Sequence, residues 1–234
     1  VETMVDTLRS TKGRSYSACP SVADWERAFG EDDDVLAFTI TSGLSGSFRA
    51  ACAAKLNCEE NSPSRRICII DSLSTGPEIV LLIEKAVSEL SAGADFDAVC
   101  RSVQDYQRRT HLIFALESLH NLAQNGRVGK LAAAAAGMLG IRAVGTTSDE
   151  GTLDLLGKCR GRKRAVDFLQ EEMERLGYTG GCVRIGHCRN TDSAGELRTA
   201  ILHRFPGANI RIYPLRGLCS YYAECGGVLV GFEA

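Results

Sequence analysis

Hydroxyl-bearing and small residues crowd one stretch of this chain, Thr41-Ser-Gly-Leu-Ser-Gly-Ser47. It directly follows the apolar, β-favouring run Asp34 to Ile40 and directly precedes an Ala-rich segment. A strand, a tight loop and a helix N-terminus are expected there. Such a junction brings backbone N–H groups, hydroxyls and the positive end of a helix dipole to one spot, which favours an anion such as a carboxylate or phosphate. Thr41, Ser42, Ser45 and Ser47 are the candidate donors. The plainer alternative is that Ser45 caps the helix while Gly43 and Gly46 permit the turn.

Two more serine-rich turns extend the theme. Asp71-Ser-Leu-Ser-Thr-Gly-Pro77 follows the continuous apolar strand that begins at Arg66, and ligands gather at strand carboxyl ends in open α/β sheets. If the two strands are neighbours, the hydroxyls of Ser42, Ser72 and Ser74 converge on one pocket. Upstream, Ser15 to Ser21 precedes a short helix bearing Trp25 and by itself signals only a cap. Serine hydrolysis fits poorly. Gly43-Leu-Ser-Gly-Ser47 departs from the nucleophile elbow G-x-S-x-G at its last position, and no histidine has an assigned place as its base. Gly126-Arg-Val-Gly-Lys130 lacks the spacing of a nucleotide phosphate loop. There is no C-x-x-C pair, and His111, His120, His187 and His203 are scattered, so neither a metal nor a cofactor is expected.

The elements that must position these residues follow from pattern. Past Asp34, strand and helix signals alternate, with Pro77 at a helix's first position, a cap at Asp95 and a strand from His111 to Leu116. Repeated βα units with nearly continuous apolar strands imply a parallel sheet covered on both faces. The second half reads differently. A short helix ends at Asn125-Gly126, Lys130 to Leu139 forms an Ala-rich helix, and Ile141 to Leu156 makes a hairpin that brings antiparallel pairing into the sheet. A helix from Gly161 to Leu176, a strand at Val183 to His187, a helix from Asp192 to Phe205 and strands near Ile210 and Val228 complete the chain.

Bulk properties bound the remaining classes. A chain of 234 residues, 44% hydrophobic and 24% charged with a net charge of −2, has an ordinary globular composition with no global pull toward nucleic acid. Its longest apolar stretches are too short to span a bilayer, and the first residues do not read as a secretory signal. Several of the ten cysteines fall inside strand or helix patterns, which suits reduced core thiols and a cytoplasmic protein. Lys158-Cys-Arg-Gly-Arg-Lys-Arg164 sets five cations at a helix start, where the dipole disfavours them, so an anionic neighbour or partner is expected. With no aromatic residue interleaved, a solvated face or a protein-docking patch fits better than RNA or DNA.

Taken in order, these pieces resemble the DegV family of bacterial fatty-acid-binding proteins. Thr41 to Ser47 is similar to that family's S-S-G-L-S-G-T loop, Asp71-Ser72 to its D-S-K loop, and Leu119 to Gly129 to its L-x-x-L-x-x-x-G-R-I segment. Met138 to Val144, the turn Asp149-Glu-Gly151 and the basic stretch at 158 to 164 match its later motifs. The resemblance implies a two-lobed α/β protein that buries a long-chain fatty acid between its lobes and lacks catalytic residues. It further implies that a separate ATP-binding kinase subunit phosphorylates the bound carboxylate. The carboxylate-holding hydroxyls of the family map onto Ser42, with Thr41 beside it, and onto Ser17 in Ser17-Ala-Cys-Pro20; Arg127 matches the G-R-I arginine. Two departures stand out. The family's C-terminal H-x-G-P-G is replaced by Tyr222-Ala-Glu-Cys-Gly226, leaving Tyr222 as a possible donor, and its opening strand with a D-S-T turn has no counterpart.

The expected architecture is therefore an N-terminal lobe over 1–109 with a mainly parallel sheet and flanking helices, and a C-terminal lobe over 110–234 with a mixed sheet. Ser17, Thr41 and Ser42 are expected to hold the carboxylate, supported by Ser72, Ser74, Arg127 and Tyr222, with the acyl tail lined by apolar residues of the Ala132 to Leu139 helix and facing strands. A serine acyl hydrolase and a lipid-free docking module are the alternatives. Fluorophosphonate labelling separates the hydrolase from the carrier: stoichiometric labelling would favour the hydrolase, and none is expected of the carrier.

Overall fold

The computed structural model describes residues 2–10, 14–31, 33–131 and 140–234. The expected helix over Ala132 to Leu139 lies outside them. The first half runs α1 (Glu2–Ser10), α2 (Val22–Phe29), β1 (Asp34–Thr39), α3 (Ser47–Asn61), β2 (Arg66–Asp71), α4 (Pro77–Ser91) and α5 (Phe96–Gln107). The second runs β3 (Thr110–Leu116), α6 (His120–Gln124), β4 (Ile141–Thr147), β5 (Leu153–Arg160), α7 (Arg162–Arg175), β6 (Cys182–His187), α8 (Thr191–Arg204), β7 (Asn209–Pro214), α9 (Gly217–Ala223) and β8 (Val228–Glu233). It is an α/β fold with two sheets.

β1 and β2 pair in parallel, in register from Asp34 opposite Arg66 to Thr39 opposite Asp71, so the loops after both strands leave the same end. The other six strands form one mixed sheet in the order β5-β4-β3-β8-β6-β7, parallel only between β6 and β7. The apolar run of β3 does not extend the parallel sheet; it sits between β4 and β8 and pairs antiparallel with both. A continuous apolar strand carries no information about its partners' direction, and here one partner arrives from the far C-terminus.

Side chains alternate across a strand, so β3 serves two cores at once. Ile113 and Ala115 pack with Leu169 and Met173 of α7 and Leu197 of α8. Leu112, Phe114 and Leu116 point to the opposite face, toward Leu119 and Leu122 around α6 and Ala223 of α9. Helix α4 joins the sheets. Leu81, Leu82 and Ala86 pack on Ile70 of β2 and on Val99 and Val103 of α5, while its first turn lies against β8.

The cap at Asp95 forms as expected, its side chain accepting from Ala98 N. The basic stretch is divided between the end of β5, the positive-φ Gly161 and the first turn of α7. Its anionic neighbours are internal: Arg162 pairs with Asp192 and Glu196 of α8, Lys163 with Asp167, and Arg164 with Glu171. All ten cysteines are free thiols. Among the described residues no helix is long and apolar enough to cross a membrane, and no cluster of His, Cys, Asp or Glu is arranged to hold a metal.

The loop after β1 and the β4–β5 turn meet without room for another atom. Thr41 Oγ1 donates to the Gly151 carbonyl at 2.9 Å, and a Cβ on Gly151, whose φ is +73°, would fall 1.9 Å from that hydroxyl. A Cβ on Gly43 would lie 2.8 Å from the Glu150 carbonyl oxygen. Gly151→Ala combines left-handed strain with this overlap, so urea unfolding should show a loss of at least about 2 kcal/mol.

Glu78, in the first turn of α4, is buried, and among the described residues no cation pairs with it. Burial pushes its carboxyl up to about 7 from an ordinary 4.5. The opposing influences are Ser74 Oγ, which makes no hydrogen bond of ordinary geometry, and Thr110 Oγ1, which donates to Oε1 at 2.8 Å. Between those two values the folded state holds a proton that the unfolded chain releases. This group's contribution is therefore complete below about 4.5 and is lost as pH rises through about 7. The loss is on the order of 3 kcal/mol. Glu78→Gln should flatten that part of the stability profile, measured by urea unfolding at intervals between pH 4.5 and 8.

Candidate functional site

The serine loop after β1 is a brace more than an open anion nest. Thr41 N donates to the Ser74 carbonyl at 2.8 Å, Ser42 N to Asp71 Oδ1 at 3.0 Å, Gly43 N to Thr41 Oγ1 at 3.0 Å and Leu44 N to the Thr41 carbonyl at 3.2 Å. Ser47 N donates to Ser45 Oγ at 3.1 Å, so Ser45 does serve the start of α3 although Gly46 occupies the cap position. Five amides expected to face an anion are thus engaged inside the protein. Ser72 and Ser74 are buried in their own turn, where Ser72 Oγ donates to the Ser74 carbonyl at 3.0 Å and accepts from Ser74 N at 3.1 Å. Asp71 Oδ1 also accepts from Leu73 N, a local Asx turn.

Beside this loop lies a chamber of about 330 Å³, within the usual size range of small-molecule sites. Its walls are mostly apolar: Phe38 of β1, Leu112, Phe114 and Leu116 from the inner face of β3, Leu122 of α6 and Leu229 of β8. Ser17, Thr41, Arg127 and Tyr222 line it as well, joined by Ser45 and Ser47; Ser42, Ser72 and Ser74 do not.

Three of these polar residues come together from distant parts of the chain. Ser17 Oγ lies 2.6 Å from the Tyr222 hydroxyl. Arg127 Nη1 donates to that hydroxyl at 2.5 Å and to Ser17 Oγ at 3.4 Å, while Nε donates to the Leu44 carbonyl at 2.9 Å. Its guanidinium stands 5.5 Å above the Tyr222 ring, a cation–π contact. Every one of these partners is neutral. No carboxylate pairs with Arg127 among the described residues. A half-buried guanidinium held by neutral oxygens at the edge of an apolar chamber can bind an anion through charge-assisted hydrogen bonds, and its planar fork matches a carboxylate.

Local folding explains this convergence. Ser21 and Asp24 form a reciprocal capping box that starts α2, which fixes where the Ser17 segment enters. Gly126, at φ +68°, turns the chain back after α6 so that Arg127 N reaches the Leu122 carbonyl at 2.8 Å. Reading by motif missed the supporting residues Ser15, Asn121, Asn125 and Tyr221, whose interactions span about a hundred residues or more and leave no local pattern.

An apolar chamber with one cationic, hydroxyl-rich edge has the chemistry to hold an anionic amphiphile. A family model for the uncharacterised DegV proteins matches residues 1–233, and the chain belongs to the DegV family. A DegV domain-containing protein of Streptococcus pneumoniae is 41% identical over 233 residues, covering all of this chain and 83% of that protein. The S. pneumoniae fatty acid kinase (Fak) B3 protein, solved loaded with linoleic acid, superposes with a TM-score of 0.96 at 41% identity, covering 99% of this chain and 83% of that one. A DegV family protein from Eubacterium eligens loaded with heptadecanoic acid gives a TM-score of 0.95 at 41% identity, covering 100% and 84%.

Tyr222→Phe keeps the ring beneath Arg127 but deletes the hydroxyl that Ser17 and Arg127 share. Urea unfolding of the delipidated protein should show a loss of about 1 kcal/mol, the usual net worth of such bonds.

Proposed function

We propose that this chain binds one long-chain fatty acid, with its acyl tail in the chamber and its carboxylate against Arg127, Ser17 and Tyr222, next to the Thr41-Ser42 loop. The observation that carries this reading is Arg127, a cation at the chamber's edge whose partners among the described residues are all neutral. The fatty acids bound by the S. pneumoniae and E. eligens proteins support the ligand class. Each methylene buried contributes about 0.8 kcal/mol, so the tail supplies most of the affinity and the polar edge sets the orientation.

The reading extends to transfer. The chain presents the carboxylate to a separate ATP-binding kinase subunit, which forms the acyl phosphate; the kinase association of the S. pneumoniae relative supports this partner. The chain itself acts as a carrier. An acyl hydrolase would need a base beside Ser42 or Ser45, and no histidine lines the chamber among the described residues. The lobes 1–109 and 110–234 both contribute to the site, through Phe38 and Thr41 on one side and Phe114, Arg127 and Tyr222 on the other. The ten free thiols support a cytoplasmic location.

Native mass spectrometry of the purified protein, with lipid identification after denaturing extraction, tests this directly. About one fatty acid per chain is expected with the wild type, depleted in Arg127→Met and reduced in Ser17→Ala. An empty protein that also fails to take up added oleic acid would sink the reading.

A further inference from the structure

Helix α9 carries two consecutive tyrosines, and only Tyr222 lines the chamber. Tyr221 is buried on the other side and makes a different set of contacts. Its hydroxyl lies 2.8 Å from Ser15 Oγ, donates to the Ser15 carbonyl at 2.8 Å and accepts from Asn125 Nδ2 at 3.0 Å. Its backbone carbonyl accepts from the buried Asn121 Nδ2 at 2.7 Å. The two rings meet edge to face, with centroids 4.8 Å apart and planes at 81°.

The positions of these partners matter. Ser15 precedes Ser17 by two residues, and Asn125 precedes Arg127 by two. Tyr222 holds Ser17 and Arg127 by their side chains, and Tyr221 holds the segments that deliver them. Residues 14–20 have no helix or strand to fix them, and the direct contact between Arg127 and Ser17 is long at 3.4 Å. A small slide of that segment would separate the two groups. The start of α6 is tied to the same helix by Glu224, which sits at φ 52° and accepts from Ser118 Oγ and Asn121 N, each at 2.9 Å.

We propose that Tyr221 is a positioning residue for the carboxylate site: through Ser15 and Asn125 its hydroxyl sets the separation of Ser17 from Arg127 before the anion arrives. This rests on the fatty-acid reading above and deepens it. Affinity for the carboxylate depends on that preorganisation, because ordering the segment at the moment of binding would draw on the same interaction energy. Affinity for an uncharged head group of the same chain length does not.

The test compares oleic acid with oleyl alcohol on wild type, Tyr221→Phe and Asn125→Ala, with circular dichroism to verify folding. Phenylalanine keeps the ring and its contact with Tyr222. Tyr221→Phe should weaken oleic acid about tenfold while changing oleyl alcohol by less than about twofold. Asn125→Ala should act in the same direction, and the double variant should lose less than the sum of the two single losses, because Asn125 Nδ2 shares the Tyr221 hydroxyl and also reaches the Ser15 carbonyl directly at 3.4 Å. Equal weakening of acid and alcohol, or unchanged acid affinity in Tyr221→Phe, would overturn the positioning role while leaving the fatty-acid reading standing. A wild type that shows no preference for the acid would overturn both.

Discussion

The guanidinium of Arg127 is the constraint around which the rest is arranged. It is half-buried at the edge of an apolar chamber, stacked on Tyr222 and hydrogen-bonded to Leu44 and Ser17, and none of these partners carries charge. Removing a cation from water without a counter-ion is costly, and a protein retains such a group where an anion completes it. Chamber and cation together suit an amphiphile: the apolar walls match a hydrocarbon tail, and the charge at the edge matches an anionic head.

The fold supplies the rest by dividing labour between faces. Alternate residues of β3 enter the helix-covered core and the chamber wall, so one strand both stabilises the mixed sheet and shapes the site. The Thr41, Gly43 and Gly151 contact presses the β1 loop onto the β4–β5 turn, giving the chamber a firm rim. The backbone amides of that loop, engaged inside the protein, maintain this rim together with the Thr41 and Ser45 hydroxyls. The cation at the chamber's edge comes instead from the turn after α6, at Arg127.

Much of the architecture was legible in the residues because it is written in local pattern. The apolar strands, Pro77 at a helix start, the cap at Asp95 and the hairpin turn all report themselves within a few positions. Ser17, Thr41, Arg127 and Tyr222 were reached through motif order, and all four line the chamber. Ser42, Ser72 and Ser74 lie off it: the Ser72 hydroxyl serves the backbone of its own turn, while Ser42 and Ser74 enter these turns through their backbone amides, and sequence does not distinguish such roles from ligand binding. The Tyr221 network was invisible for another reason: Ser15, Asn125 and Tyr221 are ordinary surface-type or core-type residues until the fold brings them together. The direction of β3 likewise depended on a partner strand at the opposite end of the chain.

The most direct measurement is the carboxyl titration of [1-13C]oleic acid bound to the protein, followed by 13C NMR in wild type and Arg127→Met. A carboxylate seated on Arg127 should titrate at least about one pH unit lower in the wild type than in the variant, since the guanidinium favours the charged form. Identical midpoints in the two proteins would place the head group away from Arg127 and contradict the proposed orientation.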